Sequence, residues 1–445
     1  MTKIKRNSLN SLLNEKFIVK IKDKSFIQSV FVLVRGTAIG QGLLILASPF
    51  LTRFYSPEDF GLLAAYVSIL SILVVIASLR YELAIPIAKS NVTANNLLVL
   101  SLTIVFGFTL LITTLLIFFH EPLLDIINSP SLEKYLWLLP ISLFGAGIYK
   151  VLNYSAIRKG KFKQISKTKV NQSIGTVVIQ LGIGLCVGNP IGLFIGDAVG
   201  RITGSSSLLK SVISEEKKNL KKCSLRAIKV AAIRYRKFPL ISSISSLFNT
   251  AGLQLPQLLI MTFFGAHIAG LFSLVQRVIG FPMTMVGQSV SQVYLSEVSK
   301  MVNNSSKDIK PMFLRTSLRL LAIGIIPILI LSFYGPSIFA MVFGDMWREA
   351  GEYSKLLGLM FLLQFIVSPL SQTLNILEYQ SWQLIWDIAR FLTVIVVFLL
   401  SNFFHLAPTV SIFLYGITMS IAYLVLYILS YVAIIKFKKV EVIKV

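Results

Sequence analysis

Apolar segments of about 20 residues recur along the whole chain, and this repetition limits the possible folds more than any other feature. A helix needs about 20 apolar residues to cross a bilayer, where only helices and closed barrels satisfy their backbone polar groups. Hydrophobic residues make up 55% of the 445 positions and charged residues only 14%, whereas soluble domains carry about a quarter charged residues. The sequence therefore predicts an all-α polytopic membrane protein.

Twelve such segments can be distinguished, separated by short polar stretches. Their approximate bounds are 26–50, 60–79, 95–119, 135–157, 170–188, 190–209, 239–264, 268–292, 315–338, 353–377, 382–404 and 408–435. Residues 1–25 contain no apolar core of signal-peptide length. We expect them to form a basic segment on the cytoplasmic membrane surface, in contact with anionic lipid head groups.

The basic residues fall on alternate loops, and this asymmetry predicts the topology. Lys and Arg outnumber Asp and Glu by 43 to 19. The opposite loops hold few cations and carry acids such as Glu58, Asp345 and Glu349. Cationic loops stay in the cytoplasm, so both termini are predicted to be cytoplasmic. Because topology explains the net charge of +24, we do not expect nucleic-acid binding.

A long basic loop, residues 210–238, divides the segments into two groups of six, 26–209 and 239–435, followed by a basic tail, 436–445. The halves share a weak repeat, since the spacing from Phe54 to Gly61 equals that from Phe263 to Gly270. Both halves then have one orientation and are related by a pseudo-two-fold axis along the membrane normal. A binding site is expected between two such halves.

Two arginines inside the predicted helices, Arg35 and Arg277, have no acid close by in sequence. A guanidinium keeps its proton, and inside a membrane it normally faces the bundle interior or a water-filled cavity. We therefore interpret the chain as the wall of a cationic passage for a negatively charged amphiphile. Lys150 and Arg319 lie near cytoplasmic ends, where their side chains can extend to the surface.

Two further arginines have an acid on the same helix face: Arg201 follows Asp197, and Arg390 follows Asp387. Each pair is either an internal ion pair or part of a conduction pathway. The helix with Asp197 also carries glycines at every fourth position from 192 to 204, a stripe that lets another helix pack closely.

Amides are frequent in the predicted helices. They either hydrogen-bond sugar hydroxyls along a passage or join neighbouring helices; the set comprises Gln41, Asn171, Gln172, Gln180, Asn249, Gln254, Gln257, Gln276, Gln288, Gln292, Gln364 and Gln372.

The sequence lacks the motifs of most catalytic classes. It has no phosphate-binding GxxxxGK[ST] loop, no HExxH and no Cys/His cluster with metal spacing. Its three histidines are scattered. We expect neither enzymatic activity nor a metal or cofactor. A membrane enzyme such as a polymerase or acyltransferase is disfavoured further because the outer loops are short.

Four stretches resemble a known family: 49–62 (PFLTRFYSPEDFGL), 79–85 (LRYELAI), 153–162 (NYSAIRKGKF) and 196–201 (GDAVGR). They are similar to O-antigen flippases, the polysaccharide-unit transporters of the multidrug/oligosaccharidyl-lipid/polysaccharide exporter superfamily. The resemblance covers most of the chain and is strongest in the first six segments. It implies a bacterial inner-membrane protein of polysaccharide or lipopolysaccharide biosynthesis, without a resident cofactor.

The resemblance also implies a cargo and a mechanism. The cargo would be an undecaprenyl-diphosphate-linked oligosaccharide, an O-antigen or related repeat unit, flipped outward by alternating access. A polymerase and chain-length partners would then receive it. The cationic cavity of this family would be supplied here by Arg35 and Arg277, with Arg201, Arg390, Gln41 and Gln276 as further lining residues.

In the drug-exporting relatives, an acid in the first helix binds the coupling cation, whereas this chain has Arg35 there. That difference favours an anionic lipid cargo. The alternative is a Na⁺- or H⁺-coupled small-molecule exporter of the same superfamily, with Asp197, Asp387 or Glu82 as the cation site.

Overall fold

The computed structural model describes residues 32, 35–220, 223–303 and 309–443. Within these ranges the chain forms helices and no strand, which confirms the all-α fold class. The predicted surface segment 1–25 lies outside the described residues. In chain order the α-helices are α1 (35–54), α2 (Pro57–Ile76), α3 (Ala84–Ile87), α4 (Asn91–Ile127), α5 (Glu133–Leu136), α6 (Leu138–Arg158), α7 (Phe162–Val187), α8 (Ile191–Ile202), α9 (Ser205–Leu220), α10 (Leu225–Arg234), α11 (Ser243–Val275), α12 (Phe281–Asn303), α13 (Ile309–Phe343), α14 (Arg348–Leu370), α15 (Gln372–Ile376), α16 (Gln380–Phe403) and α17 (Pro408–Ile443).

In the described part of the chain, seven continuous helices are long and apolar enough to cross a membrane. They become eight if the bent pair Pro130–Leu136 and Leu138–Arg158 is one span. One of the seven, Phe238–Ser299, contains two of the predicted segments, 239–264 and 268–292. The boundary between these two segments is Gly265, whose φ of 81° interrupts the helical backbone. The fold is thus that of a multi-pass membrane protein, and the count of twelve crossings stays a prediction.

The turn between α1 and α2 is built by local hydrogen bonds. Asp59 N–H donates to Ser56 Oγ at 3.3 Å, and Ser56 N–H donates to Asp59 Oδ2 at 2.9 Å. This reciprocal arrangement satisfies two donors at the start of α2. Pro57 occupies the first helical position, where a backbone N–H would have no partner within the helix, so its missing N–H costs no hydrogen bond. The polar stretch between the first two predicted segments, 26–50 and 60–79, therefore contains the start of α2.

We call the two predicted groups of segments, 26–209 and 239–435, the N-half and the C-half. Their main contact is α2 against α11, the most extensive helix pair in the described residues. A methyl group added to Gly61 would overlap the carbonyl oxygen of Ala266, and one added to Gly270 would overlap that of Pro57. Because Pro57 and Ala266 each lie four residues before the glycine, the contact is reciprocal, as a two-fold axis between the glycines requires.

The predicted glycine stripe on α8 packs against α7. A methyl group on Gly196 would meet Gln180, and one on Gly200 would overlap Thr176. This packing confirms the close helix contact that the four-residue spacing predicts. It fixes the rotation of α8, so that Asp197 and Arg201, each one residue after a stripe glycine, lie about 100° around the helix from the stripe.

We expect Gly200→Val to destabilise the protein, because the added atoms cannot fit between α8 and Thr176. Overpacking of this kind costs roughly 1–3 kcal/mol, and it should appear as a lower midpoint of thermal unfolding in detergent. Gly182→Val on α7 is the matched control, since nothing lies within 4 Å of a methyl group built there. Equal midpoints for the two variants would contradict the packing.

Candidate functional site

The two halves enclose a cavity of about 450 Å³ beside the α2–α11 crossing. Six of the predicted site residues line this central cavity: Gln41, Asp197, Arg201, Gln276, Arg277 and Arg390. They come from both halves, as the sequence predicts for a site between two repeats. The cavity is in the size range of small-ligand sites.

Arg277 lies in the central cavity without an acidic partner. Its Nη1 atom is shielded from solvent and makes no hydrogen bond with any described residue. The guanidinium stands over the ring of Phe60, 5.5 Å from the centroid, where the π face offers only weak stabilisation of the positive charge. An inward-facing cation with unused donors favours an anionic ligand.

Arg201 is paired within its own helix. Its Nε donates to Asp197 Oδ2 at 2.6 Å and its Nη2 to Oδ1 at 3.0 Å. This bidentate geometry confirms the ion pair that the sequence offers as one interpretation. The pair still faces the cavity, because Asp197 and Arg201 lie to one side of the glycine stripe that packs on α7.

Arg390 lies where the central cavity meets a second one. This second cavity, the C-half cleft, has a volume of about 1040 Å³ and is lined by residues of α11, α12, α14, α15, α16 and α17. Arg390 Nη2 is 3.4 Å from Asp387 Oδ1, and its guanidinium lies 4.7 Å from the Trp386 ring centroid. Asp387 lines only the cleft. Asp197 therefore pairs with Arg201 and Asp387 with Arg390. Of the three arginines that line the central cavity, Arg277 is the one without a paired acid in the described residues.

Arg35 does not line the central cavity, so the structure does not support that prediction. Its side chain is exposed. The adjacent Gly36 packs against Ser166, and Gly40 approaches the backbone of Lys169 on α7. The close approach of α1 to α7 determines which side of α1 faces the cavity, and Gln41, not Arg35, is on that side.

Glu82 also lies outside both cavities. Its side chain is fully buried, 3.0 Å from Lys150 Nζ, and it accepts a 2.5 Å hydrogen bond from Ser78. Lys150 additionally donates to the carbonyls of Val74 and Val75 at 3.1 Å. The prediction that Lys150 extends to the surface is therefore wrong, because a buried carboxylate attracts it inward. Glu82 joins the end of α2 to α6.

One end of the bundle is closed by contacts between the halves. We call it the acidic end, since it carries Glu58, Asp345 and Glu349; the opposite, Lys- and Arg-rich end is the basic end. His267 Nδ1 is 2.6 Å from Glu58 Oε1, and its Nε2 is 3.8 Å from Glu349 Oε2. Sequence reasoning set the histidines aside. The repeat between the halves could have predicted this contact. Glu58 precedes Gly61 by three residues and His267 precedes Gly270 by three residues, so a two-fold axis between the glycines brings the two side chains together.

Trp347 completes the closure. It is fully buried, its indole N–H donates to the carbonyl of Thr52 at 3.3 Å, and its ring meets Phe60 edge-on at 5.0 Å. Since Phe60 also lies beside Arg277, Trp347 separates the central cavity from the acidic end. The Trp and Phe rings belong to opposite halves.

In the described ranges, no group of three or more His, Cys, Asp or Glu side chains is arranged to hold a metal ion. The chemistry that the cavity offers is charge recognition. Fixed guanidinium donors can bind oxygen anions, and the amides Gln41 and Gln276 beside them can donate to or accept from neutral polar groups.

The chain is similar to known proteins in sequence and in fold. A family model described as "Polysaccharide biosynthesis protein" matches residues 50–352. The chain is 23% identical over 343 residues to the succinoglycan biosynthesis transport protein ExoT of Rhizobium meliloti (strain 1021). That match covers 74% of this chain and 64% of the relative, so the chain spans less than two thirds of the relative's length.

Two solved structures share the fold. One is a multidrug resistance MATE family transporter of the MOP superfamily in an inward-facing conformation, with a TM-score of 0.72 and 16% identity, covering 90% of this chain and 96% of that one. The other is the lipid II flippase MurJ in an inward closed conformation, with a TM-score of 0.70 and 15% identity, covering 94% and 93%. At these identities the similarity concerns the fold alone.

We expect Glu82→Gln to destabilise the protein, because Lys150 would lose its buried partner. Breaking a buried ion pair costs roughly 3–5 kcal/mol, visible as a lower midpoint of thermal unfolding in detergent. The double variant Glu82→Leu/Lys150→Leu should recover most of that loss. If Glu82 instead bound a coupling cation, the single variant would keep its stability and lose only the response to Na⁺ or pH.

Proposed function

The chain belongs to the polysaccharide biosynthesis protein family, and from this premise we propose that it is a flippase for undecaprenyl-diphosphate-linked oligosaccharide. It would carry an O-antigen or related repeat unit from the cytoplasmic to the outer leaflet of a bacterial inner membrane, where a polymerase and chain-length partners take it over. No catalytic step is part of this proposal.

One observation carries the proposal: Arg277 presents an unpaired guanidinium to a cavity between the two halves. A buried cation without a partner is costly, and its retention inside a membrane protein indicates a ligand that neutralises it. A diphosphate suits this role because its oxygens accept the parallel hydrogen bonds of a guanidinium. Arg201 lies on the facing half and adds a second cation beside the same space.

The closed acidic end supports the proposed direction. The positive-inside asymmetry assigns the acidic end to the outside, so the closed Gly61–Gly270 crossing and Trp347 would separate the central cavity from the outer surface. The cavity would then be loaded from the cytoplasmic leaflet. Release requires α2 and α11 to separate at the acidic end, a rigid-body movement of one half against the other.

The coupled small-molecule exporter remains the alternative, and the ion pairs disfavour it. Asp197 is engaged by Arg201 and Asp387 by Arg390, so a coupling cation would first have to displace an arginine. Glu82 is engaged by Lys150 away from the cavity. Movement of an anionic lipid that is not coupled to a cation at these acids leaves the arginines in place.

We expect Arg277→Ala to lower the amount of surface polysaccharide in cells by about tenfold or more, because the phosphate would lose its charged donors. The protein should remain in the membrane at the wild-type level, which immunoblotting of membrane fractions checks. Arg319→Ala is the matched control, since Arg319 is an exposed arginine in α13. Wild-type polysaccharide in cells with Arg277→Ala would refute the assignment.

We expect Gly270→Val to hold the acidic end open, because the added side chain overlaps the Pro57 carbonyl. The reporter is Ala64→Cys, which lies in the cavity lining, in a chain whose Cys186 and Cys223 are replaced by Ser. A membrane-impermeant thiol reagent applied outside should label it faster in the valine variant, and export should fall.

Gly107→Val serves as the control for this experiment, since nothing lies within 4 Å of a methyl group built on Gly107. It should leave both labelling and export unchanged. Unchanged labelling in Gly270→Val as well would mean that the glycine crossing does not close the outer side.

A further inference from the structure

The amides of the predicted helices differ in whether their side chains are hydrogen-bonded to the protein. Those near the N-half and the crossing bond to the backbone: Gln172 donates to Arg201 O at 3.3 Å, Gln180 to Leu193 O and Gln257 to Ala269 O at 3.0 Å. The amide N–H groups of these side chains are committed to backbone carbonyls.

Three amides of the C-half cleft, by contrast, are uncommitted. Asn249 on α11, Gln288 on α12 and Gln364 on α14 all line the cleft. None of the three makes a side-chain hydrogen bond with another residue in the part of the chain that the structure describes. Asn249 and Gln288 are exposed to the cleft space. Each amide offers two donors and an acceptor, which is the combination that hydroxyl groups require.

The charge of the cleft differs from that of the central cavity. Its charged lining residues are Asp387 and Arg390, which are paired with each other, so the cleft presents no uncompensated charge. The two spaces adjoin, because Arg390, Gln364 and Thr284 line both of them. The cleft is therefore the neighbouring space for the neutral part of a ligand whose charged group lies at Arg277.

We propose that the C-half cleft is a glycan-binding subsite, which takes neutral sugar residues of the cargo while the diphosphate lies near Arg277. This inference rests on the proposed function. The cleft volume of about 1040 Å³ lies at the upper end of small-ligand sites and exceeds what a diphosphate needs. An isoprenoid tail could pack on the apolar side chains that make up most of the lining, but it would remove the uncommitted amides from water without replacing their hydrogen bonds.

The test compares two probes on the purified full-length protein. One is undecaprenyl diphosphate, and the other is the lipid-linked oligosaccharide extracted from cells that lack this chain. The quantity of interest is the ratio of their dissociation constants, which isolates the contribution of the glycan. We expect the wild type to bind the glycosylated lipid about tenfold tighter.

The double variant Asn249→Leu/Gln288→Met should reduce this ratio to about one, since apolar side chains cannot replace the amide hydrogen bonds. Its affinity for undecaprenyl diphosphate should stay at the wild-type value, which also shows that it is folded. Asn402→Leu, an exposed asparagine at the far end of α16, is the matched control and should keep the ratio.

A ratio near one in the wild type, or an unchanged ratio in the double variant, overturns the glycan subsite. Equal changes in affinity for both lipids also overturn it, because they would place the isoprenoid tail in the cleft. Arg277→Ala tests the proposed function separately: it should weaken both lipids and preserve the ratio. If it weakens neither, the diphosphate assignment fails, while loss of the ratio in the double variant still supports the cleft.

Discussion

The backbone contact between α2 and α11 organises the rest of the molecule. Gly61 and Gly270 allow the two helices to approach until main-chain atoms of opposite halves touch, which no side chain larger than hydrogen permits. Because the helices cross at the acidic end, residues of both helices away from the crossing, such as Ala64 and Gln254, border the central cavity. His267 and Trp347 reinforce the same closed end. One close contact thus determines both the closed side and the open space beside it.

Charge inside the bundle follows a simple balance. Asp197, Asp387 and Glu82 each hold a cation, respectively Arg201, Arg390 and Lys150, and such pairing reduces the free energy of keeping ions away from water. Arg277 is outside this balance: none of the described ion pairs includes it, and its guanidinium lies over the ring of Phe60. Its positive charge therefore favours the binding of an anionic ligand. The charges of Arg201 and Arg390 are already partly compensated by Asp197 and Asp387.

Arg35 and Arg277 show that the sequence identifies arginines inside helices but does not tell which of them faces the cavity. Both are arginines in apolar segments with no acid nearby in the chain, so sequence reasoning treats them alike. In the structure only Arg277 lines the cavity, because the rotation of each helix is decided by the residues that pack against its neighbours. The same limit applies to Glu82 and Lys150, which are far apart in the chain and 3.0 Å apart in space.

The sequence by itself determined the helical membrane class, the charge asymmetry of the loops, the paired glycines of the repeat and the ion pairs within single helices. These features depend on composition and on spacing along one segment, where geometry follows from the helix period. Only the tertiary structure decided which cation stays unpaired, which amides remain free in the C-half cleft and which end is closed. Those properties arise from contacts between segments distant in the chain, and side-chain packing sets them.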